Sequence, residues 1–155
     1  LENRTAMLIE RMELITDSGG PGKFRGGLGV LREIIFTHDG EFISVMKKTK
    51  TKPWGLNGGW DAEPTSLILY PGTDREMKVG TYRAVVRSGD RCILKTAGGG
   101  GWGNPLERDP LMVLEDVIEG YITIESAESI YGVVIKDGHI DWVKTEELRN
   151  KKFPR

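Results

Sequence analysis

The first two thirds of the chain alternate between apolar and polar residues in short runs. Such alternation, bounded by glycine, proline or aspartate, is typical of half-buried β-strands. The runs lie at 7–15, 29–36, 41–48, 66–70, 78–87 and 91–97. The Asp39-Gly40 pair is a residue pair that accepts positive φ, and it predicts a hairpin between 29–36 and 41–48. This part of the chain is therefore predicted to be mostly antiparallel β-sheet.

The spacing of apolar residues changes to a helical period after Pro105. Asp109 suits an N-cap and Pro110 suits the first helical position, so a helix is predicted to begin there. Gly120 is expected to end it. The apolar stripe that would face the core is predicted as Leu111, Leu114, Val117 and Ile118.

A second helix is predicted after Thr123, which suits its N-cap, and Gly132 is expected to end it. Its buried side is predicted as Ile124, Ala127, Ile130 and Tyr131. Asp137-Gly138 predicts a second hairpin turn, and a last short helix is predicted from Thr145. The fold class is therefore α+β: antiparallel hairpins, then a helical pair, then a C-terminal hairpin and short helix.

Length and charge narrow the class of protein. A chain of 155 residues fits one domain, so 1–155 is expected to be a single domain. A net charge of −1 gives no electrostatic footprint for nucleic acid, and no apolar run is long enough to span a membrane. Cys92 is the single cysteine, which excludes an internal disulfide. A cytoplasmic location is expected.

The composition is unusual in its 21 glycines, most of which form three clusters. The clusters lie at 17–29, 53–59 and 98–103, and each contains a large residue: Phe24, Trp54 and Trp102. Flexible linkers seldom carry such residues, so the clusters are predicted to be ordered loops packed on a core. The neighbour of Gly98–Gly103 is predicted to be protein backbone, from this chain or a partner chain.

A phosphate-binding loop is the alternative for these glycines. Gly98–Gly103 formally satisfies G-x-G-x-x-G, but Asn104-Pro105 separates it from the helix whose amides would meet a pyrophosphate. The segment Gly19–Phe24 resembles a Walker A loop but lacks the first glycine and the Ser or Thr after Lys23. Both patterns therefore argue against a nucleotide site.

No complete active site is evident, and no catalytic residue is assigned. The loop 19–27 either points Lys23 and Arg25 to solvent or donates Arg25 or backbone amides to an anion. The candidate substrate or intermediate contacts are Lys23, Arg25, Gly100 and Trp102. The two histidines lie in predicted turns, and no cluster with metal-ligand spacing is present, so no metal site is predicted.

Three segments together resemble one family. They are DSGGPGKFRGGLGVLREIIF, PWGLNGG and the long block KTAGGGGWGNPLERDPLMVLEDVIEGYITIESAESIYGVVI. The chain resembles, from about Arg11 to Val134, the C-terminal region of hydantoinase B. That family comprises the N-methylhydantoinase B proteins, the corresponding half of 5-oxoprolinase, and related components of acetone and acetophenone carboxylases.

The resemblance implies a hetero-oligomer with a hydantoinase A-type ATPase subunit and the longer N-terminal part of a B-type polypeptide. In such complexes the A-type chain would use ATP to phosphorylate a lactam or enolate oxygen, and the B-type chain would complete hydrolysis or carboxylation. The activated intermediate must be kept from bulk water, which closely packed loops would assist. This chain is expected to bind no cofactor itself, with ATP and a divalent metal on partner chains.

The resemblance implies B-type polypeptides several times longer than this chain, whose metal-binding acidic and histidine residues lie upstream of the matched region. No metal ligand can therefore be transferred to a position in this sequence. A split-gene small subunit and a fragment of a longer chain both fit this difference. The expected function is a component of an ATP-dependent enzyme acting on a cyclic amide. The alternatives are a component of a ketone carboxylase and a non-catalytic scaffold subunit.

Overall fold

The computed structural model of the protein describes residues 6–152 and confirms an α+β fold. The residues group into two compact units. The first unit contains the segment up to Ile15, Gly29–Lys52 and Pro64–Ala97. The second contains Thr16–Leu28, Pro53–Glu63 and the segment from Gly98 onward. The expectation that the chain is a single domain stays a prediction, which unfolding measurements would test.

The first unit is built from antiparallel strands. They are β1 (Met7–Leu14), β2 (Val30–Phe36), β3 (Gly40–Ser44), β4 (Ser66–Leu69), β5 (Met77–Val79), β6 (Tyr82–Val86) and β7 (Arg91–Lys95). Five of them form a sheet in the order β1-β2-β7-β4-β5, and β3 pairs with β6 in a separate ribbon. A bulge between Ile9 and Arg11 interrupts the pairing of β1 with β2.

The predicted hairpin around Asp39-Gly40 is wrong. Strand β2 already has β1 on one edge and β7 on the other, so β3 pairs with β6 instead. The Phe42 ring contacts that of Phe36 edge-on, with centroids 5.2 Å apart. Asp39 accepts a hydrogen bond from the Ser88 amide at 2.8 Å, which fixes the connection to the β6–β7 turn. The pairing of β2 with two other strands therefore overrides the local turn signal.

The core of the first unit consists of side chains from the sheet and the ribbon. Its buried members are Ile34, Phe36, Leu67, Leu69, Tyr70, Ala84, Val86 and Cys92. Cys92 is fully buried, and burial raises the pKa of its thiol to about 11.

The second unit contains the helices and a short hairpin. Its elements are a 3-10 helix at Pro105–Glu107, α1 (Pro110–Ile118), α2 (Ile124–Ser129), β8 (Ile135–Lys136), β9 (His139–Ile140) and α3 (Trp142–Lys152). None of the helices within residues 6–152 is long and apolar enough to cross a membrane.

Local signals in the second unit correctly predict where α1 and α2 begin and where the hairpin turns. The Asp109 carboxylate accepts from the Leu111 amide at 2.9 Å, and the Thr123 hydroxyl accepts from the Ser126 amide at 3.1 Å. Asp137 and Gly138 have φ of 49° and 77°, which fits the predicted hairpin turn. Helix α3 begins at Trp142, about one turn earlier than predicted.

The predicted apolar stripe of α1 is right at two of its four positions. Leu114 and Val117 are half-buried, and Val117 packs against the core. Leu111 and Ile118 are exposed, whereas Val113 and Asp116 are buried. The buried core of this unit consists of Val113, Ile122, Ala127, Tyr131 and Val133. The helix is therefore rotated from the predicted orientation, so that a carboxylate faces inward.

Candidate functional site

The three glycine clusters meet in the second unit, where the backbone of Gly98–Gly103 bonds to both other clusters. Four of its glycine amides donate to backbone carbonyls at 2.8–3.2 Å: Gly98 to Glu63, Gly99 to Gly27, Gly101 to Trp60 and Gly103 to Leu56. The Gly99 carbonyl accepts from Gly20, and the Gly101 carbonyl accepts from Leu56. The chain itself therefore satisfies most of the polar groups of this loop.

Steric contact explains why these positions are glycine. A Cβ on Gly22 would lie 2.6 Å from the Trp102 nitrogen, and one on Gly20 would lie 2.5 Å from the Gly101 nitrogen. A Cβ on Gly100 would collide with the Trp54 carbonyl, whose carbon would be 2.6 Å away. Because each obstacle is backbone rather than a movable side chain, the segments can approach this closely only without side chains.

The neighbour of Gly98–Gly103 is the chain's own backbone, as one of the two predicted alternatives has it. A phosphate cradle needs free amides that converge on an anion. Here five of the six amides of Gly98–Gly103 already donate to carbonyls of the chain. The residues present therefore do not fit a nucleotide phosphate in this loop.

Trp102 lies between Phe24 and Leu56. It forms an antiparallel bridge with Phe24 and a parallel bridge with Leu56, so the three side chains project from one face. The Phe24 and Trp102 ring centroids are 5.6 Å apart. The exposed fractions are 58% for Phe24, 58% for Leu56 and 45% for Trp102. Phe24, Leu56 and Trp102 are called the apolar ridge below.

The glycine clusters are ordered loops, as predicted, but Phe24, Trp54 and Trp102 are exposed and do not anchor them on a core. Backbone hydrogen bonds, rather than burial of the rings, hold the loops in place. Two bonds of 3.0 Å join Phe24 and Trp102, one in each direction. The large residues of the clusters are thus displayed on the surface.

The two candidate cations of the loop 19–27 have different environments. Lys23 is exposed and forms an ion pair with Glu107, with Nζ and Oε2 3.4 Å apart. Arg25 is not directed to solvent: its Nε and Nη2 donate to the two carboxylate oxygens of Asp116 at 3.1 Å each. Its guanidinium also lies 5.2 Å from the centre of the Tyr121 ring.

A second arginine shares the same carboxylate. Arg108 Nη2 lies 2.9 Å from Asp116 Oδ2, and the side chains of Arg25, Arg108 and Asp116 are exposed by only 14%, 6% and 7%. Arg108 also donates to the Lys23 carbonyl at 3.2 Å. This mostly buried ionic cluster, Arg25–Asp116–Arg108, therefore links the loop 19–27 to helix α1.

Sequence reasoning missed Asp116 and Arg108. The one sequence signal is that Asp116 lies three residues after Val113, which places both residues on the same face of α1. Next to the cluster, the Tyr131 hydroxyl is buried and has no hydrogen-bond partner within residues 6–152. Burial raises the pKa of Tyr131 to about 12.

The part of the chain that the structure describes contains no group of three His, Cys, Asp or Glu side chains able to hold a metal ion. The ionic cluster has a single carboxylate, already bound by two guanidinium groups. The residues present therefore do not fit a divalent metal. The contact of Lys23, Arg25, Gly100 and Trp102 with substrate stays a prediction. The Arg25 guanidinium is already bound to the Asp116 carboxylate.

Comparison with known proteins assigns the chain to a family. The sequence model of the hydantoinase B/oxoprolinase family matches residues 1–105 of the chain. The chain belongs to the hydantoinase B/oxoprolinase family. The resemblance inferred from the glycine clusters is thereby confirmed.

Relatives in this family are much longer than the chain. It is 39% identical over 155 residues to the B-type component of a D-/L-hydantoinase from Pseudomonas sp. (strain NS671), which aligns with 96% of the chain. It is 33% identical to the beta chain of the caprolactamase of Pseudomonas jessenii, again over 96% of the chain. The chain spans only 26% and 27% of these two proteins, about a quarter of each.

Two solved structures share the fold. The crystal structure of ATP-dependent caprolactamase from Pseudomonas jessenii superposes with a TM-score of 0.78 at 33% identity, over 96% of this chain and 27% of that one. A nucleotide-free acetone carboxylase superposes with a TM-score of 0.81 over 97% of this chain and 25% of that one. Its 22% identity supports likeness of fold alone.

Proposed function

We propose that the chain is a B-type component of a multisubunit, ATP-dependent enzyme that opens a cyclic amide. The observation that carries this proposal is the identity of 39% to a hydantoinase component and of 33% to a caprolactamase component. Hydantoins and caprolactam are both cyclic amides, whose carbonyls are poor electrophiles until activated. The complex is proposed to act in the cytoplasm.

Activation is assigned to other chains. An A-type ATPase subunit is proposed to bind ATP and a divalent metal. In this chain most amides of Gly98–Gly103 already donate hydrogen bonds to carbonyls, and residues 6–152 contain no group of three His, Cys, Asp or Glu side chains able to hold a metal ion. The longer part of a B-type polypeptide would supply the remaining site. The proposed contribution of this chain is a rigid wall that helps keep an activated intermediate from water.

The test is purification of the native complex through a tag on this chain, followed by an assay of ATP hydrolysis. Hydantoin and a lactam are compared with acetone plus bicarbonate. The expected result is ADP release that depends on the cyclic amide and matches the amount of ring-opened product. Recovery of this chain without any A-type or B-type polypeptide would overturn the proposal.

A ketone carboxylase is the second candidate, because the chain is also 26% identical over 162 residues to the alpha subunit of the acetone carboxylase of Xanthobacter autotrophicus. The same assay separates the two, because a carboxylase would hydrolyse ATP only when ketone and bicarbonate are both present. The higher identity to the hydantoinase and caprolactamase components supports the first candidate.

A scaffold role is separated from a role in the site wall by Lys23→Ala. Lys23 is exposed and pairs only weakly, so its removal is expected to leave the fold intact. Lower turnover in a fully assembled complex would support a wall role, whereas loss of assembly with normal turnover in the remainder would support a scaffold. Arg25→Ala is unsuitable for this test because it breaks the buried ionic cluster.

A further inference from the structure

The apolar ridge has the chemistry of an interface. Tryptophan and phenylalanine are enriched at the centres of protein interfaces, where they supply much of the binding energy. Contiguous apolar patches on a protein surface commonly mark an interaction site. Phe24, Leu56 and Trp102 form such a patch, since they lie side by side and each is about half exposed.

The ridge is also held rigidly before any partner binds. Its three residues come from three separate glycine clusters, and backbone hydrogen bonds tie both Phe24 and Leu56 to the loop that carries Trp102. A rigid apolar surface loses little conformational entropy on binding.

We infer that the apolar ridge is the docking surface for the part of a hydantoinase B-type polypeptide that this chain does not cover. This inference rests on the proposed function. The relatives match 96% of this chain but only 26–27% of their own length, so about three quarters of a B-type polypeptide lie outside it. That body, whether on the same polypeptide or a separate one, would cover the ridge with a complementary apolar pocket.

Photo-crosslinking tests the location of the contact. Leu56→p-benzoyl-phenylalanine places a photoreactive group on the ridge, and Val85→p-benzoyl-phenylalanine is the control on the first unit, where Val85 is 70% exposed. The tagged chain is irradiated in its native source, and crosslinked peptides are sequenced by mass spectrometry. The expected product from position 56, and not from 85, is a peptide that matches the uncovered part of hydantoinase B. Crosslinks to another copy of this chain, or equal yields from both positions, would overturn the inference.

Substitution tests the energy of the contact. The combined change Phe24→Ser, Leu56→Ser, Trp102→Ser is expected to weaken retention of the B-type polypeptide at least about tenfold, as loss of interface centres does. The pair Ile43→Ser, Val85→Ser removes similarly exposed apolar residues from the first unit and is expected to leave retention unchanged.

The outcomes distinguish the two proposals. If the wild-type chain retains no B-type polypeptide, the proposed function and the docking surface both fail. If the wild-type and ridge variants retain it equally, with circular dichroism showing both folded, only the docking surface fails. If the ridge variant does not fold, the crosslinking result decides, because it leaves Phe24 and Trp102 in place.

Discussion

The Arg25 guanidinium donates to both carboxylate oxygens of Asp116, although 91 positions separate the two residues in the sequence. Arg108 binds the same carboxylate at 2.9 Å, so one buried and one partly buried cation depend on one anion. Paired donation of this kind fixes orientation as well as distance. The loop that resembles a phosphate-binding sequence thus carries an arginine that is bound within the chain.

Asp116→Asn is expected to destabilise the protein strongly, because it leaves the buried Arg108 and the partly buried Arg25 without a counter-charge. Breaking a buried ion pair from one side typically costs about 3–5 kcal/mol. Glu107→Gln is the matched control: it removes the exposed partner of Lys23 and should cost less than about 1 kcal/mol. Urea unfolding of both variants gives the comparison. Equal losses in the two would show that the cluster has no special role in stability.

Adjacent glycines should respond differently to the same substitution. Gly26→Ala would drive a Cβ into the Gly99 carbonyl, whereas a Cβ on Gly27 meets nothing within 4 Å. Gly26→Ala is therefore expected to cost at least about 3 kcal/mol, at the upper end for overpacking. Gly27→Ala should stay within about 1 kcal/mol of wild type and can stabilise by restricting the unfolded chain. Thermal unfolding measures both, and a tolerated Gly26→Ala would contradict the close backbone packing.

The central glycine loop gives a prediction on assembly. Gly100→Val is expected to abolish folding or assembly, because a side chain there would collide with the Trp54 carbonyl. Nucleotide affinity of any complex that still assembles should be unchanged, since amides around this position already donate within the chain. Gel filtration and ATP titration of the native complex measure the two effects. Weaker ATP binding with assembly intact would restore the phosphate cradle as an explanation for the glycines.

Local chemistry made some elements predictable from sequence. Asp109 and Thr123 cap their helices through their own side chains, and Asp137-Gly138 turns within two residues. These capping and turn signals depend only on residues a few positions apart. The glycine clusters are also visible in the sequence, so close approach by backbone could be expected, but not which distant segments supply it.

Other features depend on distant residues and could not be predicted. The partner of β3 is β6, about 40 positions away, and nothing near Asp39 indicates that β2 has both edges occupied. The burial of Asp116 requires Arg25 from a loop far upstream. The exposure of Trp102 was likewise unpredictable, because bulky aromatic residues are usually taken as core. The glycines on either side of Trp102, Gly101 and Gly103, form hydrogen bonds with neighbouring backbone, while the Trp102 ring remains exposed.

Tyr131→Phe is expected to leave stability unchanged or raise it by up to about 1 kcal/mol. The Tyr131 hydroxyl is buried without a hydrogen-bond partner in residues 6–152, and burying an unpaired polar group costs about 1–3 kcal/mol. Tyr70→Phe is the matched control, since the Tyr70 hydroxyl donates to the Val85 carbonyl at 2.8 Å. It should lose about 1 kcal/mol. A larger loss at position 131 than at position 70 would mean that the Tyr131 hydroxyl has a partner.

Stability should fall with rising pH above about 9, through ionisation of Cys92 in the unfolded chain. Burial raises the pKa of the folded thiol to about 11 from an ordinary value of 9.0, so the folded state holds its proton after the unfolded state has lost it. The contribution is complete below pH 9 and declines by about 1.4 kcal/mol per pH unit towards pH 11. Cys92→Ala should abolish this slope between pH 9 and 10, while burial of Tyr131, whose pKa is about 12, maintains a decline above pH 10. Urea unfolding from pH 8 to 11 measures both proteins, and parallel curves would refute the assignment to Cys92.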